Sequence, residues 1–116
     1  MTKQERIPVY LEHIADAIDR ATAYVKPIIT VEAFAQNAQA IDAVVRTLEI
    51  IGEAANKIHQ ADPDYLAQHS EIPWAAMRTM RNKVIHDYFS VDPVIVWNTV
   101  KADLPRLQEQ IKALLS

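Results

Sequence analysis

Apolar side chains recur three or four positions apart from Ile7 onward, at Leu11, Ile14, Ala15, Ile18, Ala21 and Val25, with Glu12, Asp16, Asp19 and Arg20 between them. That period belongs to a helix with one face turned to a core. Pro27 has no amide hydrogen and pushes Lys26 away from helical torsions, which predicts an end near Tyr24 to Lys26. Thr30 is a fitting cap, and Glu32 suits the first-turn dipole. Ile41, Val44, Val45, Leu48, Ile51, Ala55 and Ile58 then trace one stripe, so the spacing predicts a single second helix from Thr30 to about Ile58. At about 1.5 Å per residue it would be roughly 42 Å long, the spine of the molecule.

Asp62 before Pro63 reads as a cap and a first-turn proline, starting a short element through Ala67. Pro73 opens a third long helix through Trp74, Met77, Met80, Val84, Ile85 and Tyr88. Asp92 and Pro93 repeat the device for a last helix, with Val94, Val96, Trp97, Val100 and Leu104 on its apolar side. Pro105 should kink it before Leu107, Ile111, Leu114 and Leu115 continue to the end.

Gly52 is the only glycine among 116 residues, while sheets and tight hairpins need residues that tolerate positive φ. The expected fold class is therefore all-α, an antiparallel bundle of four to five helices in one domain spanning residues 1–116. Gly52 itself would let a neighbouring helix come close. Twelve basic against fifteen acidic side chains give a net charge of −3, so any contact with nucleic acid must be local. The absence of cysteine excludes a disulfide scaffold, thiol catalysis and a thiolate zinc site. With no apolar run of about 18 residues and no apolar core near Met1, a cytoplasmic protein without membrane association is expected.

Basic charge gathers in one place. From Ile72 to Val91 the local charge is +2, leaving −5 for the rest. On a helix Arg78, Asn82 and His86 share a polar ridge. Arg81 and Tyr88 lie on a neighbouring stripe, and Arg81 is about 140° of rotation from His86 in an ideal helix. Convergence of the two needs either a distorted or shortened helix, or a second copy supplying the opposing wall of a twofold cleft. Such a cleft suits RNA cleavage. A histidine can take the proton from a ribose 2′-hydroxyl or give one to the leaving oxygen, an arginine stabilises the crowded phosphate, and no metal is required. The 2′-hydroxyl as internal nucleophile restricts cleavage to RNA and leaves a cyclic phosphate.

At these residues the sequence closely resembles the HepT-like toxins of the HEPN superfamily, whose hallmark is Arg, four residues, His, one residue, Tyr. It stands here as Arg81, Asn82, Lys83, Val84, Ile85, His86, Asp87 and Tyr88. The stretch LEIIGEAANKI from Leu48 to Ile58 looks like that family's long second helix, and IPWAAMRTMRNKVIHDYFSVD with Trp97 and LPRL looks like its third and fourth. The likeness covers Leu11 to Leu115. It implies a homodimeric HEPN-like bundle and a metal-independent endoribonuclease, the toxin of a toxin–antitoxin pair, with Arg81 and His86 as the catalytic pair and Asn82 as a polar support. It further implies a nucleotidyltransferase antitoxin that transfers AMP to Tyr88, and no cofactor. An AMP group there would add negative charge beside Arg81, where an RNA phosphate would bind.

Each of these residues has a plainer alternative. Tyr88 could pack at an interface with Phe89 and Trp97. Arg78 and Lys83 are RNA-backbone contacts or solvated charges, and spacing does not decide between them. Trp74, Met77 and Met80 read as core or dimer-interface residues. His59 and His69 match no metal-ligand spacing and, like His13, read as surface residues. Glu49 and Glu53, four apart, either face the basic segment and position Arg78 or Arg81, or form a solvated acidic face. A second function class is a non-catalytic partner or nucleotide-binding module of a nucleotidyltransferase.

Overall fold

The first helix, α1 (Ile7–Val25), follows a 3-10 turn at Gln4–Arg6 and ends where Pro27 requires. The computed structural model that shows this describes residues 1–80, 82 and 90–116. Pro8 costs α1 nothing, because first-turn amides have no partner within a helix. Leu11, Ile14, Ala17, Ile18, Ala21 and Val25 are buried along one face. The Lys26 N–H still reaches the Thr22 carbonyl at 3.0 Å, and the ladder stops there.

The single helix expected from Thr30 is two helices. Thr30 Oγ1 accepts the Ala33 N–H at 3.1 Å and starts α2 (Val31–Ala35). Asn37 then caps α3 (Ala38–Ala61), its Oδ1 accepting the Ala40 N–H at 3.0 Å. The physical reason is that an Asn side chain competes for backbone donors that would otherwise continue the ladder. With 24 residues, α3 is about 36 Å long, shorter than expected. The break also lets Phe34 enter the core and lie against Trp97, with ring centroids 5.4 Å apart.

The short α4 (Pro63–Gln68) begins after Asp62, whose side chain makes no capping bond, contrary to expectation; its carbonyl accepts the Tyr65 N–H at 3.0 Å instead. Pro73 leads into α5 (Trp74–Arg78). That helix is interrupted at Thr79, with φ −108° and ψ 11°, and helical backbone returns at Met80 and Asn82. The Thr79 hydroxyl donates to the Ala75 carbonyl at 3.1 Å, which secures the end. The unbroken helix expected from Pro73 is therefore corrected at Thr79, and its stretch toward Tyr88 lies outside the described residues.

Asp92 caps α6 (Pro93–Asn98) as expected, its carboxylate accepting the N–H groups of Val94 at 3.0 Å and Ile95 at 3.2 Å. The kink expected at Pro105 takes another form. Thr99–Asp103 widens into a π-turn, in which the Leu104 N–H reaches back to the Thr99 carbonyl, and α7 (Leu104–Leu115) carries on with Pro105 in its first turn. A widened turn changes hydrogen-bond partners where proline supplies no donor, so the rod passes the proline. Val94 is half exposed rather than on the apolar side.

One apolar core joins these helices. α1 packs mainly on α3 and α7, and the Gln108 amide ties α7 to α1 by donating to the Ala15 carbonyl at 3.0 Å and to Asp19 Oδ1 at 2.7 Å. Trp74, Met77 and Met80 are buried in this core, and the Trp74 indole N–H donates to the His69 carbonyl at 3.0 Å. Among the described residues no strand occurs, and no helix is long and apolar enough to cross a membrane.

Candidate functional site

Two helical faces with the same spacing meet beside the basic segment. On α3 they are Glu49, Gly52, Glu53 and Asn56; opposite stand Ala75, Arg78, Thr79 and Asn82. Positions separated by three, four and seven residues share one side of a helix, so each set forms a continuous wall. Between them lies a groove of about 450 Å³.

Gly52 sets its depth. A Cβ built there would stand 2.9 Å from the Met77 carbonyl oxygen and 3.6 Å from that of Arg78. Only a residue without a side chain lets α5 lie this close to α3, as the sequence led one to expect. The close approach brings Glu49 and Glu53 opposite Arg78 and Asn82. Of the ridge Arg78–Asn82–His86, the structure thus places Arg78 and Asn82, both exposed, on one groove. Arg81, Lys83, His86 and Tyr88 lie outside the described residues.

The polar inventory of the groove is mixed. Glu49 is half-buried and Glu53 exposed. Neither Glu53 nor Arg78 forms an ion pair among the described residues, where the single close pair is His69 with Glu71 at 3.8 Å. The Thr79 hydroxyl is occupied by its own helix, donating toward the Ala75 and Ala76 carbonyls. Among the described residues, the Asn56 and Asn82 amides, the Arg78 guanidinium and the Glu53 carboxylate therefore line the groove with hydrogen-bonding capacity to spare.

The other histidines sit away from this groove. His13 is exposed and edges onto Tyr10. His69 lies over the Tyr65 ring, with centroids 4.4 Å apart. His59 departs from the surface reading: it is half-buried, and its Nδ1 is enclosed without a partner. Among the described residues no three His, Asp or Glu side chains gather as metal ligands.

The family described as "Ribonuclease HepT-like" matches residues 14–114, a range that takes in both walls of the groove and the whole stretch from Arg81 to Tyr88. The chain belongs to this family. Among relatives of the HepT-like ribonucleases, a protein of Thermococcus cleftensis named "Probable ribonuclease HepT" is 43% identical over 105 residues, covering 90% of this chain and 92% of its own. A "Putative RNase" of Caldanaerobacter subterraneus subsp. tengcongensis is 38% identical over 106 residues, with 91% of each chain covered. No solved structure matches the chain.

Three members of the groove, Asn56, Ala75 and Thr79, are not singled out by the sequence. Asn56 lies seven residues after Glu49 and three after Glu53, on the same side of α3. That polar stripe opposite the apolar one was the signal available for it. Asn82, expected as a polar support orienting the histidine or the phosphate, lies on the α3–α5 groove.

Proposed function

We propose that the protein is a metal-independent endoribonuclease, the toxin of a toxin–antitoxin pair, working as a homodimer whose shared cleft carries Arg81 and His86 from each protomer. One observation supports this most: within a chain of the HepT-like ribonuclease family, α5 and the motif residue Asn82 stand opposite α3 along an open polar groove. Relatives named as ribonucleases support the reaction class.

In this reading His86 takes the proton of the ribose 2′-hydroxyl as that oxygen attacks phosphorus. The bond from phosphorus to the 5′-oxygen breaks, the leaving oxygen receives a proton from a second acid, and the products are a 2′,3′-cyclic phosphate and a 5′-hydroxyl. His86 of the other protomer is the candidate for that acid, since a twofold cleft holds two imidazoles. Arg81 bears the charge that builds on the nonbridging oxygens, Asn82 orients the histidine or the phosphate, and Arg78 and Lys83 contact the RNA backbone. A nucleotidyltransferase antitoxin silences the site by transferring AMP from ATP to the Tyr88 hydroxyl with release of pyrophosphate, and the added phosphate engages Arg81.

Purified protein should cleave RNA in the presence of a chelator, and His86→Ala should lower the rate at least about a hundredfold, as loss of a general acid or base does. A variant that cleaves as fast as the parent removes His86 from the mechanism. The net charge of −3 favours the second reading, a non-catalytic nucleotidyltransferase partner. That reading stands if the wild type cleaves neither free RNA nor ribosome-bound message or tRNA while it still binds the transferase.

A further inference from the structure

Among its described residues, the groove between α3 and α5 sets the exposed carboxylate of Glu53 beside the Asn56 amide. That carboxylate invites hydrogen-bond donors. At about 450 Å³ the groove falls within the range of small-ligand sites, roughly 300–1,000 Å³. It also adjoins Asn82, which lies next to Arg81 in the chain.

We propose that this groove is a base-reading subsite selecting guanine beside the scissile phosphate, with the Glu53 carboxylate accepting from the N1 and N2 hydrogens of the base. The inference rests on the ribonuclease reading of the neighbouring motif. Its chemical basis is the donor pattern of the four bases. In single-stranded RNA the pairing edges are open to protein side chains. Guanine alone offers two adjacent donors, N1–H and the 2-amino group, which match the two oxygens of one carboxylate. Adenine and cytosine each set one amino donor beside a ring acceptor, and uracil flanks one donor with two carbonyls, so each would turn a lone pair toward the carboxylate.

The Asn56 amide, on the same wall as Glu53, supplies a donor for guanine O6 or N7, while Arg78 and Asn82 stand across the groove. Glu53 and Arg78 have no ion-pair partner among the described residues, so binding a base breaks no such contact at these two side chains. Gly52 and Ala75 keep the floor low between the two walls.

The test is cleavage mapping on an unstructured RNA containing every dinucleotide step, with the parent protein and Glu53→Gln. This exposed substitution keeps the shape of the side chain and replaces one acceptor by a donor. The parent should cleave beside guanosine about 10- to 100-fold faster than beside other nucleosides, the range for one bidentate base contact. Substituting inosine, which lacks the 2-amino group, should remove most of that advantage, and in Glu53→Gln guanosine and inosine should perform alike. Cleavage by the parent without base preference, or a guanine preference unchanged in Glu53→Gln, overturns the subsite and leaves the ribonuclease reading intact. If the parent cleaves no RNA, the ribonuclease reading fails. The subsite is then judged by fluorescence anisotropy with 2′-O-methyl oligonucleotides: about tenfold tighter binding of the guanine oligomer than its adenine counterpart, lost in Glu53→Gln, supports it, and equal binding overturns it.

Discussion

Gly52 carries a conflict between local and tertiary preference. In the interior of α3 an alanine would favour the helix by about 1 kcal/mol, yet its Cβ would stand 2.9 Å from a backbone carbonyl of α5 that cannot rotate away. Overpacking of this kind costs about 1–3 kcal/mol, so Gly52→Ala should be destabilised by roughly 1 kcal/mol net in urea denaturation. Because relief requires α5 to move outward with Arg78 and Asn82, RNA cleavage should fall by more than the loss of folded protein explains. Unchanged stability and unchanged cleavage would show that the close approach is not needed. The buried Thr47 is legible only in part: its position on the apolar stripe tells of burial, but its pairing, with the hydroxyl donating to the Val44 carbonyl at 2.6 Å, follows from helix geometry.

Among the elements, start signals were read more accurately than continuity. Thr30 and Asp92 both cap helices as their residue types suggest. Asn37 went unread because Phe34, Ile41 and Leu48 are spaced seven apart, so the apolar stripe crosses the break without changing phase. Asn37→Ala should cost about 1 kcal/mol, the usual value of a lost cap, measured as a lower urea midpoint; no change would mean the break is maintained by the docking of Phe34 alone. In α4, burial first and then the Glu71 carboxylate push the Tyr65 hydroxyl above its ordinary value of 10.0. A group raised in the folded state favours folding fully below its unfolded value and loses that contribution as pH rises through the folded one. Stability should therefore decline above about pH 10 more steeply in the parent than in Tyr65→Phe. Parallel alkaline profiles for the two proteins would refute the assignment.

For the whole molecule, the proposed pairing of Arg81 with His86 poses a geometric requirement. On an ideal helix they diverge by about 140°, and the interruption at Thr79 lies ahead of both. The proposed cleft shared by two protomers would meet that requirement, and the proposal has a kinetic consequence: cleavage per protomer should fall on dilution, in step with dimer dissociation measured by sedimentation. Concentration-independent specific activity in a monomeric preparation would reject the shared cleft. Association of that kind makes function depend on protomer concentration.

Apolar periodicity, proline placement and the single glycine were enough to specify an all-helical chain, most helix starts and the segment where charge collects, since these depend on neighbours a few residues apart. The break at Asn37 and the π-turn ahead of Pro105 arise from local competition for backbone hydrogen bonds beneath an apolar stripe that runs on unbroken, whereas the pairing of the polar faces of α3 and α5 depends on contacts between residues far apart in the chain. Glu53 and Arg78, separated by 25 positions, share a groove because Gly52 lets two backbones approach, a distance that no local pattern encodes.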